Sequence, residues 1–301
     1  MNLLITGAFP TTDEQMAQLK ALGYQITFVQ DERLPLEIDC SSFDAVVCNG
    51  LFLYNDIKNF HSLKFIQLTS AGLDRLPLDY ISEHSITVKN AKGVYSIPMA
   101  EWCVGQLLSV FKQTRFFDHN QKNRQWIKNR NLKELNGTTA SIIGFGSVGS
   151  ETAKRLSAFG VKIIAVNRSV PKYDNYDEYI NIQQLDNALS ESDIVILTLP
   201  LTQTTHHLFD ENRWSNMKDG SILVNMSRGK IIDEHSLLTA LKNSRPAFAV
   251  LDVFEQEPLD TSSPLWTMEN VIITPHNSFV SDKNKERLFR VIYENLRASK
   301  Q

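Results

Sequence analysis

The sequence TTASIIGFGSVGSETAKRLSAFGVKIIAVNRS, residues 138–169, contains the pattern that decides the fold. A short apolar run ends at three glycines, Gly144, Gly146 and Gly149, and a segment with apolar residues at helical spacing follows. A second apolar run then ends at the polar tripeptide 167–169. The order strand, glycine turn, helix and strand, in about this length, is typical of a unit that binds a dinucleotide.

Each glycine has a physical task in such a unit. Gly144 permits a tight turn, Gly146 lets the backbone approach a pyrophosphate, and Gly149 lets the helix pack closely on the strand. The pyrophosphate would lie at the helix N-terminus, near Ser147 and Val148, where free N–H groups favour an anion. An ordinary strand–helix turn is the alternative. The helix and both strands are in register with the glycines, which favours the dinucleotide.

Composition excludes several classes of protein. The 301 residues are enough for two domains, and 31 basic against 34 acidic residues, net charge -3, argue against a nucleic-acid or membrane-surface protein. Three cysteines lack the spacing of a metal site, so we expect no metal and a reducing compartment. The N-terminal residues do not resemble a signal peptide, and no apolar run has the length of a membrane span. These features predict a cytoplasmic location.

The first ninety residues alternate short apolar runs with polar segments of helical character. Buried strands that alternate with helices imply a parallel α/β sheet. A helix is expected to begin after Thr12 and to end before Gly23. This region lacks the glycine pattern and should be a separate domain. Its candidate strands are 3–5, 26–29, 45–47, 65–68 and 86–88.

The pattern changes from Pro98. Apolar residues at helical spacing and little charge up to Phe111 predict a buried helix. The polar stretch Gln113 to Leu135 follows, and Trp126 is its one tryptophan. It is either an excursion used in self-association or a solvated surface loop.

Beyond the glycine turn, apolar runs end repeatedly at polar residues. Arg228, Glu257 and His276 each lie shortly after such a run, and the carboxyl ends of parallel strands share one edge of a sheet. An arginine fork suits a planar carboxylate, a histidine exchanges protons near neutral pH, and a carboxylate bonded to the imidazole fixes its tautomer. Singly, each residue could be structural. Together, they suit hydride transfer between a 2-hydroxy acid and a 2-oxo acid.

Motifs along nearly the whole chain support this chemistry. These motifs are SAGLD (70–74), the segment 90–101, GFGSVG (144–149), LPLT (199–202) with Thr205, NMSRG (225–229), DVFEQEP (252–258) and TPH (274–276). With these motifs in this order, the chain resembles the D-isomer-specific 2-hydroxyacid dehydrogenases, a family that includes glyoxylate and hydroxypyruvate reductases and phosphoglycerate dehydrogenases.

The resemblance implies specific roles. Arg228 would orient the substrate, His276 would be the acid/base, and Glu257 would support it. Asp252 would face the nicotinamide amide. Further cofactor contacts would come from Leu199, Pro200, Thr205, Met226 and Ser227, and substrate contacts from Ser70, Ala71 and Gly72.

The resemblance also implies the domain organisation. We expect two Rossmann-like, doubly wound parallel-sheet domains, of which the substrate domain is discontinuous and flavodoxin-like. Residues 1–96 and 278–301 would form the substrate domain, and 97–277 the dinucleotide-binding domain. The family further implies a homodimer, and no regulatory tail is expected after the last helix.

Three positions depart from the family pattern. Asn167 stands where NAD-preferring members have an aspartate, and Arg168 and Ser169 follow; this tripeptide predicts NADP(H) as the preferred cofactor, with NAD(H) possible. Lys92 lies in a segment that commonly reads Asn-x-Pro-Gly, and is either a contact for an anionic substrate group or a solvated lysine. Asn277-Ser278 replaces residues that are commonly smaller.

Two alternatives stay open at this point. A nucleotide-sensing binding protein, such as a corepressor, uses the same fold without turnover. A formate-dehydrogenase-like enzyme pairs its histidine with an amide, against which Glu257 argues. The sequence leaves the 2-oxo acid unnamed.

Overall fold

The computed structural model describes residues 1–300. The chain divides into two compact units, one made of Met1–Tyr95 and Ser281–Gln301, the other of Ser96–Val280. Each unit combines α-helices with a parallel β-sheet, which confirms the predicted fold class. Within residues 1–300, no helix has the length and apolar character needed to cross a membrane.

The sheet of the first unit lies within residues 2–89 and has five parallel strands. Two of its inner strands, residues 45–48 and 65–68, are fully buried and apolar except for Gln67, as expected when both faces of a parallel sheet are covered. The order is β2-β1-β3-β4-β5, with β1 (Asn2–Thr6), β2 (Gln25–Val29), β3 (Ala45–Cys48), β4 (Phe65–Leu68) and β5 (Thr87–Lys89).

Helix α1 (Asp13–Ala21) begins and ends as predicted. The Thr12 hydroxyl accepts a bond from the Gln15 N–H, and the Gln15 side chain accepts one from the Thr12 N–H, which forms a capping box. Gly23, with φ of +84°, follows the C-terminal end. A second short helix, α2 (Leu78–Glu83), precedes β5.

The second unit begins with helix α3 (Ser96–Phe111), whose buried positions include Ala100, Cys103 and Leu107. The following stretch contains a further helix, α4 (Thr114–Lys122), so the surface-loop interpretation of residues 113–135 is wrong for 114–122. The rest of this stretch is irregular, and the Trp126 side chain is 95% exposed.

The sheet of the second unit lies within residues 139–273 and has seven parallel strands in the order β12-β11-β10-β9-β6-β7-β8. The strand order reverses between β6 and β9, which is the switch point of a doubly wound sheet. The strands are β6 (Thr139–Ile143), β7 (Lys162–Asn167), β8 (Glu178–Asn181), β9 (Ile194–Leu197), β10 (Ile222–Asn225), β11 (Phe248–Leu251) and β12 (Val271–Ile273).

Helices cover both faces of this sheet and bury two apolar clusters against it. The helices of this part are α5 (Ser147–Ser157), α6 (Leu185–Glu191), α7 (Glu211–Ser215) and α8 (Glu234–Lys242). Short 3₁₀ turns occur in both units, at Leu51–Leu53, Ile57–Asn59, Ile182–Gln184, Gly229–Ile231 and Pro264–Thr267.

Helix α9 (Asn284–Ala298) belongs to the first unit. Its buried residues Leu288, Ile292 and Leu296 share an apolar cluster with Leu3 and Ile5 of β1. The spacing of these three residues is that of one helix face, as the sequence predicts. This packing explains why the chain returns to the first unit after completing the second.

Candidate active site

Polar residues follow the carboxyl ends of neighbouring strands in the second unit. Thr198 follows β9, Ser227 lies shortly after β10, Asp252 follows β11 and Thr274 follows β12. Because the strands are parallel, these ends meet at one edge of the sheet. Parallel α/β sheets bind their ligands at this edge.

The glycine turn after β6 is shaped by close contacts. Gly144 has φ of +91°, and a Cβ there would lie 2.6 Å from the Leu199 backbone, across the switch point. A Cβ on Gly149 would lie 3.0 Å from Ile142 Cγ2, so this glycine allows α5 to approach β6. At Gly146 the atom nearest to a Cβ would be the Gly144 carbonyl oxygen, 4.0 Å away, so the space in front of the turn is open.

This open space lies at the N-terminus of α5, which fits an anionic group. Gly146 is the N-cap residue, and no side-chain hydrogen bond caps the helix there. The first helical bond runs from the Ser150 N–H to the Gly146 carbonyl oxygen, so the N–H groups of Ser147, Val148 and Gly149 have no acceptor within the helix and need another partner. Together with the helix dipole, they form a suitable cradle for the pyrophosphate of a dinucleotide.

The tripeptide 167–169 ends β7 at the same edge. Asn167 is half-buried, whereas Arg168 and Ser169 are exposed. Asn181 donates a hydrogen bond from Nδ2 to the Arg168 carbonyl oxygen over 3.0 Å, which fixes the backbone at Arg168. The Arg168 guanidinium takes no part in this bond.

The turns after β9 and β10 present mainly backbone groups. The Thr205 hydroxyl bonds the Pro200 carbonyl oxygen over 2.7 Å and accepts a bond from the Thr202 N–H, so it closes its turn. The side chains of Leu199, Met226 and Ser227 are buried. A ligand at these predicted contacts would therefore meet main-chain atoms first.

His276 and Glu257 form a direct pair. His276 Nδ1 lies 2.8 Å from Glu257 Oε2, and Glu257 Oε1 accepts a bond from the Phe254 N–H over 3.1 Å. Since an ionised carboxylate only accepts hydrogen bonds, the proton of this contact belongs to Nδ1. His276 has φ of +50°, a left-handed conformation that is uncommon among residues other than glycine and that occurs preferentially at functional sites.

Asp252 holds the loop that carries His276. Its carboxylate is fully buried and accepts bonds from the Thr274 hydroxyl (2.5 Å), the Asn277 N–H (2.8 Å) and the Ser278 N–H (3.0 Å). Its carbonyl oxygen accepts the His276 N–H over 2.8 Å. These contacts give Asn277 and Ser278 a backbone role that the sequence analysis did not find.

Arg228 acts electrostatically on this pair. Burial alone would raise the pKa of Glu257, but the bond and charge of His276, the Phe254 N–H and the Arg228 guanidinium lower that pKa overall. Glu257 is therefore ionised at neutral pH. Arg228 also donates from Nη1 to the Ser227 carbonyl oxygen over 2.7 Å. The structure thus brings together the three residues that were predicted to be catalytic.

The predicted substrate residues lie in the first unit, in the loops after β4 and β5. Asn90 donates from Nδ2 to the Ala71 carbonyl oxygen over 2.7 Å, and the Ala91 N–H donates to the Ser70 carbonyl oxygen over 2.9 Å, so the two loops are joined. The Ser70 hydroxyl bonds the Gly72 carbonyl oxygen. A cavity of about 330 Å³ borders these loops, lined by Leu73, Val88, Lys89, Asn90, Lys92, Val291 and Asn295.

Three further polar residues in the segments that follow the strands of the second unit escaped the sequence analysis. The side chains of Glu234 and Glu255 each accept the backbone N–H of the other residue, and His207 Nε2 lies 3.1 Å from Glu255 Oε1. Only the position of Glu255 inside DVFEQEP was available as a signal. Among residues 1–300, no group of histidine, cysteine, aspartate and glutamate side chains is arranged to hold a metal ion.

Residues 104–278 match the model of the family described as "D-isomer specific 2-hydroxyacid dehydrogenase, NAD binding domain". The chain belongs to the D-isomer specific 2-hydroxyacid dehydrogenase family. This family consists of NAD(P)-dependent 2-hydroxyacid dehydrogenases and 2-oxoacid reductases. The glycine turn and the strand-end residues of the second unit fall within the matched range.

Relatives of this dehydrogenase match both sequence and structure. A glyoxylate reductase from Thermofilum pendens is 36% identical over 78% of this chain and 71% of the relative. A hydroxypyruvate reductase from Thermotoga maritima is 37% identical over 71% of this chain and 70% of the relative. The structure of a D-isomer specific 2-hydroxyacid dehydrogenase family protein from Aeromonas salmonicida matches with a TM-score of 0.82 and 32% identity, covering 98% and 94% of the two chains.

The lowered pKa of Glu257 predicts a pH-dependent contribution to the stability of this dehydrogenase. Because the folded-state pKa lies below the ordinary value of 4.5, the contribution is present above about pH 4.5 and is lost as the pH falls through the folded-state value. Glu257→Gln should therefore lower the free energy of unfolding in urea at about pH 7, and the difference in this free energy between wild type and variant should decrease below about pH 4.5. A difference that stays constant down to about pH 3 would contradict this prediction.

Proposed function

We propose that this chain reduces a small 2-oxo acid to a D-2-hydroxy acid and catalyses the reverse oxidation, with His276, Glu257 and Arg228 as its catalytic residues. The observation that carries the proposal is the His276–Glu257 contact of 2.8 Å, beside the Arg228 charge. The family membership supports the reaction class. The glyoxylate and hydroxypyruvate reductases among the relatives support small 2-oxo acids as substrates.

When bound, a nicotinamide dinucleotide would supply or accept the hydride. The turn Gly144–Gly149 would hold its pyrophosphate, and the backbone near Leu199, Pro200 and Met226 would border it, with Thr205 and Ser227 closing their turns. Asp252 uses its carboxylate within the protein, so we expect any contact with the nicotinamide amide to share that carboxylate.

The proton of the reaction belongs to His276. Because Nδ1 is bonded to Glu257, Nε2 is the nitrogen that exchanges a proton with the substrate oxygen. The ionised Glu257 stabilises the positively charged imidazolium, which is the proton donor for reduction. Arg228 offers a planar fork that matches a carboxylate beside a carbonyl, so it would orient the substrate and polarise the bond that is reduced. In the first unit, the backbone of Ser70–Gly72 would hold the substrate carboxylate.

A nucleotide-sensing binding protein is the alternative from another functional class. It would bind a dinucleotide at the same turn but would not need a histidine with a left-handed backbone bonded to a carboxylate. Steady oxidation of NADPH or NADH distinguishes the two. We would test glyoxylate, hydroxypyruvate, pyruvate and bulkier 2-oxo acids with each cofactor, and the complete absence of turnover would reject the enzyme.

We propose a homodimer as the functional assembly. The irregular part of residues 113–135 supports it, because Trp126 is 95% exposed and Ile127 is 50% exposed, and large apolar side chains exposed close together mark interaction surfaces.

His276→Asn should abolish the proton transfer while preserving the loop. Asparagine tolerates the left-handed conformation, so this variant avoids the backbone strain that alanine would introduce. Turnover with the best 2-oxo acid should fall by about two to four orders of magnitude, the usual contribution of a general acid. Cofactor binding, followed by fluorescence, should change less than about twofold. His84→Asn, at an exposed histidine of the first unit, is the matched control. Retention of more than about a tenth of the turnover would reject His276 as the acid.

The exposed tripeptide 167–169 supports NADP(H) as the preferred cofactor. An aspartate at position 167 would repel a 2′-phosphate, whereas Asn167 removes that charge and can still bond a ribose hydroxyl. Arg168 offers a fork suited to phosphate, and Ser169 adds a donor. The backbone of Arg168 is fixed by Asn181, and its exposed side chain can reach a ligand at this edge. NAD(H) would bind the same site without the phosphate contact.

This arrangement predicts a preference that can be measured. A charge-assisted hydrogen bond contributes about 1.5–3 kcal/mol, so kcat/KM for NADPH should exceed that for NADH by at least about tenfold, mostly through KM. Arg168→Ala should remove much of this preference, and Asn167→Asp should shift the enzyme towards NADH. Lys172→Ala, at an exposed lysine nearby in the sequence, is a charge-matched control. Equal wild-type efficiency with both cofactors would show that the tripeptide does not recognise the phosphate.

Lys92 supports an anionic tail on the substrate. It lines the cavity of about 330 Å³ together with Lys89, and the cavity borders the loop that would hold the substrate carboxylate. Two ammonium groups, two amides and an apolar wall would suit a short chain that ends in a phosphate or a second carboxylate. The alternative is a solvated lysine without a role in binding.

Lys92→Ala distinguishes these possibilities. If Lys92 contacts a distal anion, KM for a 2-oxo acid with a second carboxylate should rise by about tenfold, the effect of one charge-assisted contact. KM for glyoxylate, which has no tail, should change less than about twofold, and Lys112→Ala serves as a control lysine in the other unit. Equal changes in KM for both substrates would show that Lys92 is a solvated lysine without a role in binding the distal anion.

A further inference from the structure

Two carboxylates in the second unit bind each other's backbone. Glu255 Oε1 accepts the Glu234 N–H over 3.0 Å, and Glu234 Oε1 accepts the Glu255 N–H over 2.5 Å. Glu234 is the first residue of α8, and Glu255 lies in the loop after β11. The two bonds form a reciprocal clasp between the segment that follows β10 and the segment that follows β11. We call this pair the Glu234–Glu255 clasp.

The two segments joined by the clasp carry Arg228 and Glu257. Between Arg228 and α8, Gly229 lies so close to the other loop that a Cβ would be 1.8 Å from the Phe254 carbonyl carbon and 2.4 Å from the Glu255 nitrogen. Phe254 in turn donates its N–H to Glu257. The position of Glu257 relative to Arg228 is therefore set within a few residues, by the contact at Gly229 and by the clasp.

The loop after β9 also contacts the Glu234–Glu255 clasp. His207 Nε2 lies 3.1 Å from the Glu255 oxygen that accepts the Glu234 N–H. The backbone around His207 bonds the segment after β10, through its N–H to the Lys230 carbonyl oxygen and through Phe209 to Ile231. The loop after β9, which contains the predicted cofactor contact Thr205, is thus tied to the two loops that bear Arg228 and Glu257.

The clasp satisfies two backbone N–H groups in an energetically unfavourable way. Burial raises the pKa of Glu234, the bond from the Glu255 N–H opposes this, and the charges of Glu255 and Glu257 raise that pKa further. The N-terminus of α8 already has an ordinary cap, because the Asp233 side chain accepts the His235 and Ser236 N–H groups. A neutral side chain at position 255 would accept the remaining N–H, that of Glu234, without bringing the carboxylates of Glu234, Glu255 and Glu257 close together. An arrangement that is unfavourable locally points to a role in placing neighbouring functional groups.

We infer that Glu234 and Glu255 are positioning residues for the reaction: their clasp holds the loops after β10 and β11 at the separation in which Arg228 and Glu257 act on the same substrate and histidine. This inference rests on the proposed function. It assigns no contact with substrate or cofactor to either glutamate. Their effect on turnover passes through Arg228 and Glu257.

The test compares Glu234→Ala, Glu234→Gln and a matched control, Glu211→Ala. Glu211 is also the first residue of a helix, α7, and its side chain is exposed. Glutamine retains an oxygen acceptor for the Glu255 N–H, so Glu234→Gln should keep most of the wild-type behaviour and also guards against a failure of the alanine variant to fold. Two quantities are measured well below the unfolding temperature: kcat and KM for the best 2-oxo acid, and hydrogen exchange of the peptide 252–258 by mass spectrometry.

If the clasp positions the loops, Glu234→Ala should speed exchange in 252–258 and lower kcat/KM for the 2-oxo acid by about 10- to 100-fold, the effect of a displacement of about 1 Å at an active site. Exchange in the glycine turn 144–149 and cofactor affinity should stay unchanged, and Glu211→Ala should resemble wild type. Faster exchange with unchanged kcat/KM would overturn the positioning role, and unchanged exchange would overturn the clasp itself. A wild-type chain without turnover would instead reject the proposed function, and the exchange result would still decide whether the clasp holds the loop.

Discussion

The arrangement of the active-site edge depends on the buried carboxylate of Asp252. A charged group without access to water is strongly destabilising unless its oxygens are bonded, and here each oxygen accepts bonds from the segment after β12. Satisfying this carboxylate requires Thr274, Asn277 and Ser278 to converge on the end of β11. The chain can do so only by turning sharply between them, and His276 takes the left-handed conformation at that turn. The orientation of the imidazole is therefore a consequence of charge burial one strand away.

A second set of constraints fixes the partner of the histidine. Glu257 must reach Nδ1 from the loop after β11, and this loop is held by the Phe254 N–H, by the close approach of Gly229 and by Glu234. The same short segment begins at Asp252, so both sides of the His276–Glu257 contact start from one buried residue. A small shift of β11 would therefore move His276 and Glu257 in the same direction and change the distance between them little. This coupling suits a reaction in which distances must be kept to fractions of an ångström.

The sequence predicts those features that depend on local chemistry. The glycine turn, the cap at Thr12 and the strand ends that carry Arg228, Glu257 and His276 all follow from the residues at those positions and from the rule that parallel strands end at one edge. The Glu234–Glu255 clasp does not, because it joins residues from two segments whose relative height depends on the register of β10 and β11. Helix α4 was missed for another reason: its polar sequence has only Asn120 buried, so apolar periodicity gives little signal. The roles of Asn277 and Ser278 are carried by their N–H groups, which every residue except proline possesses.

The residues proposed for catalysis and those proposed for cofactor choice are held in different ways. His276 is bonded to Glu257, and the buried Asp252 side chain holds the loop that carries His276, so a change at one of these residues disturbs the others. Asn167 is the last residue of β7, which lies between β6 and β8, and it is half-buried, whereas Arg168 and Ser169 follow the strand and are exposed. Asn181 donates a hydrogen bond to the Arg168 carbonyl oxygen, and the Tyr179 hydroxyl donates one to the Asn167 carbonyl oxygen. In the proposed complex, a substitution at Arg168 or Ser169 would alter the charge offered to the adenosine ribose but would remove little buried surface. The proposed cofactor preference would therefore change without altering the His276–Glu257 contact, although both groups of residues belong to one sheet unit.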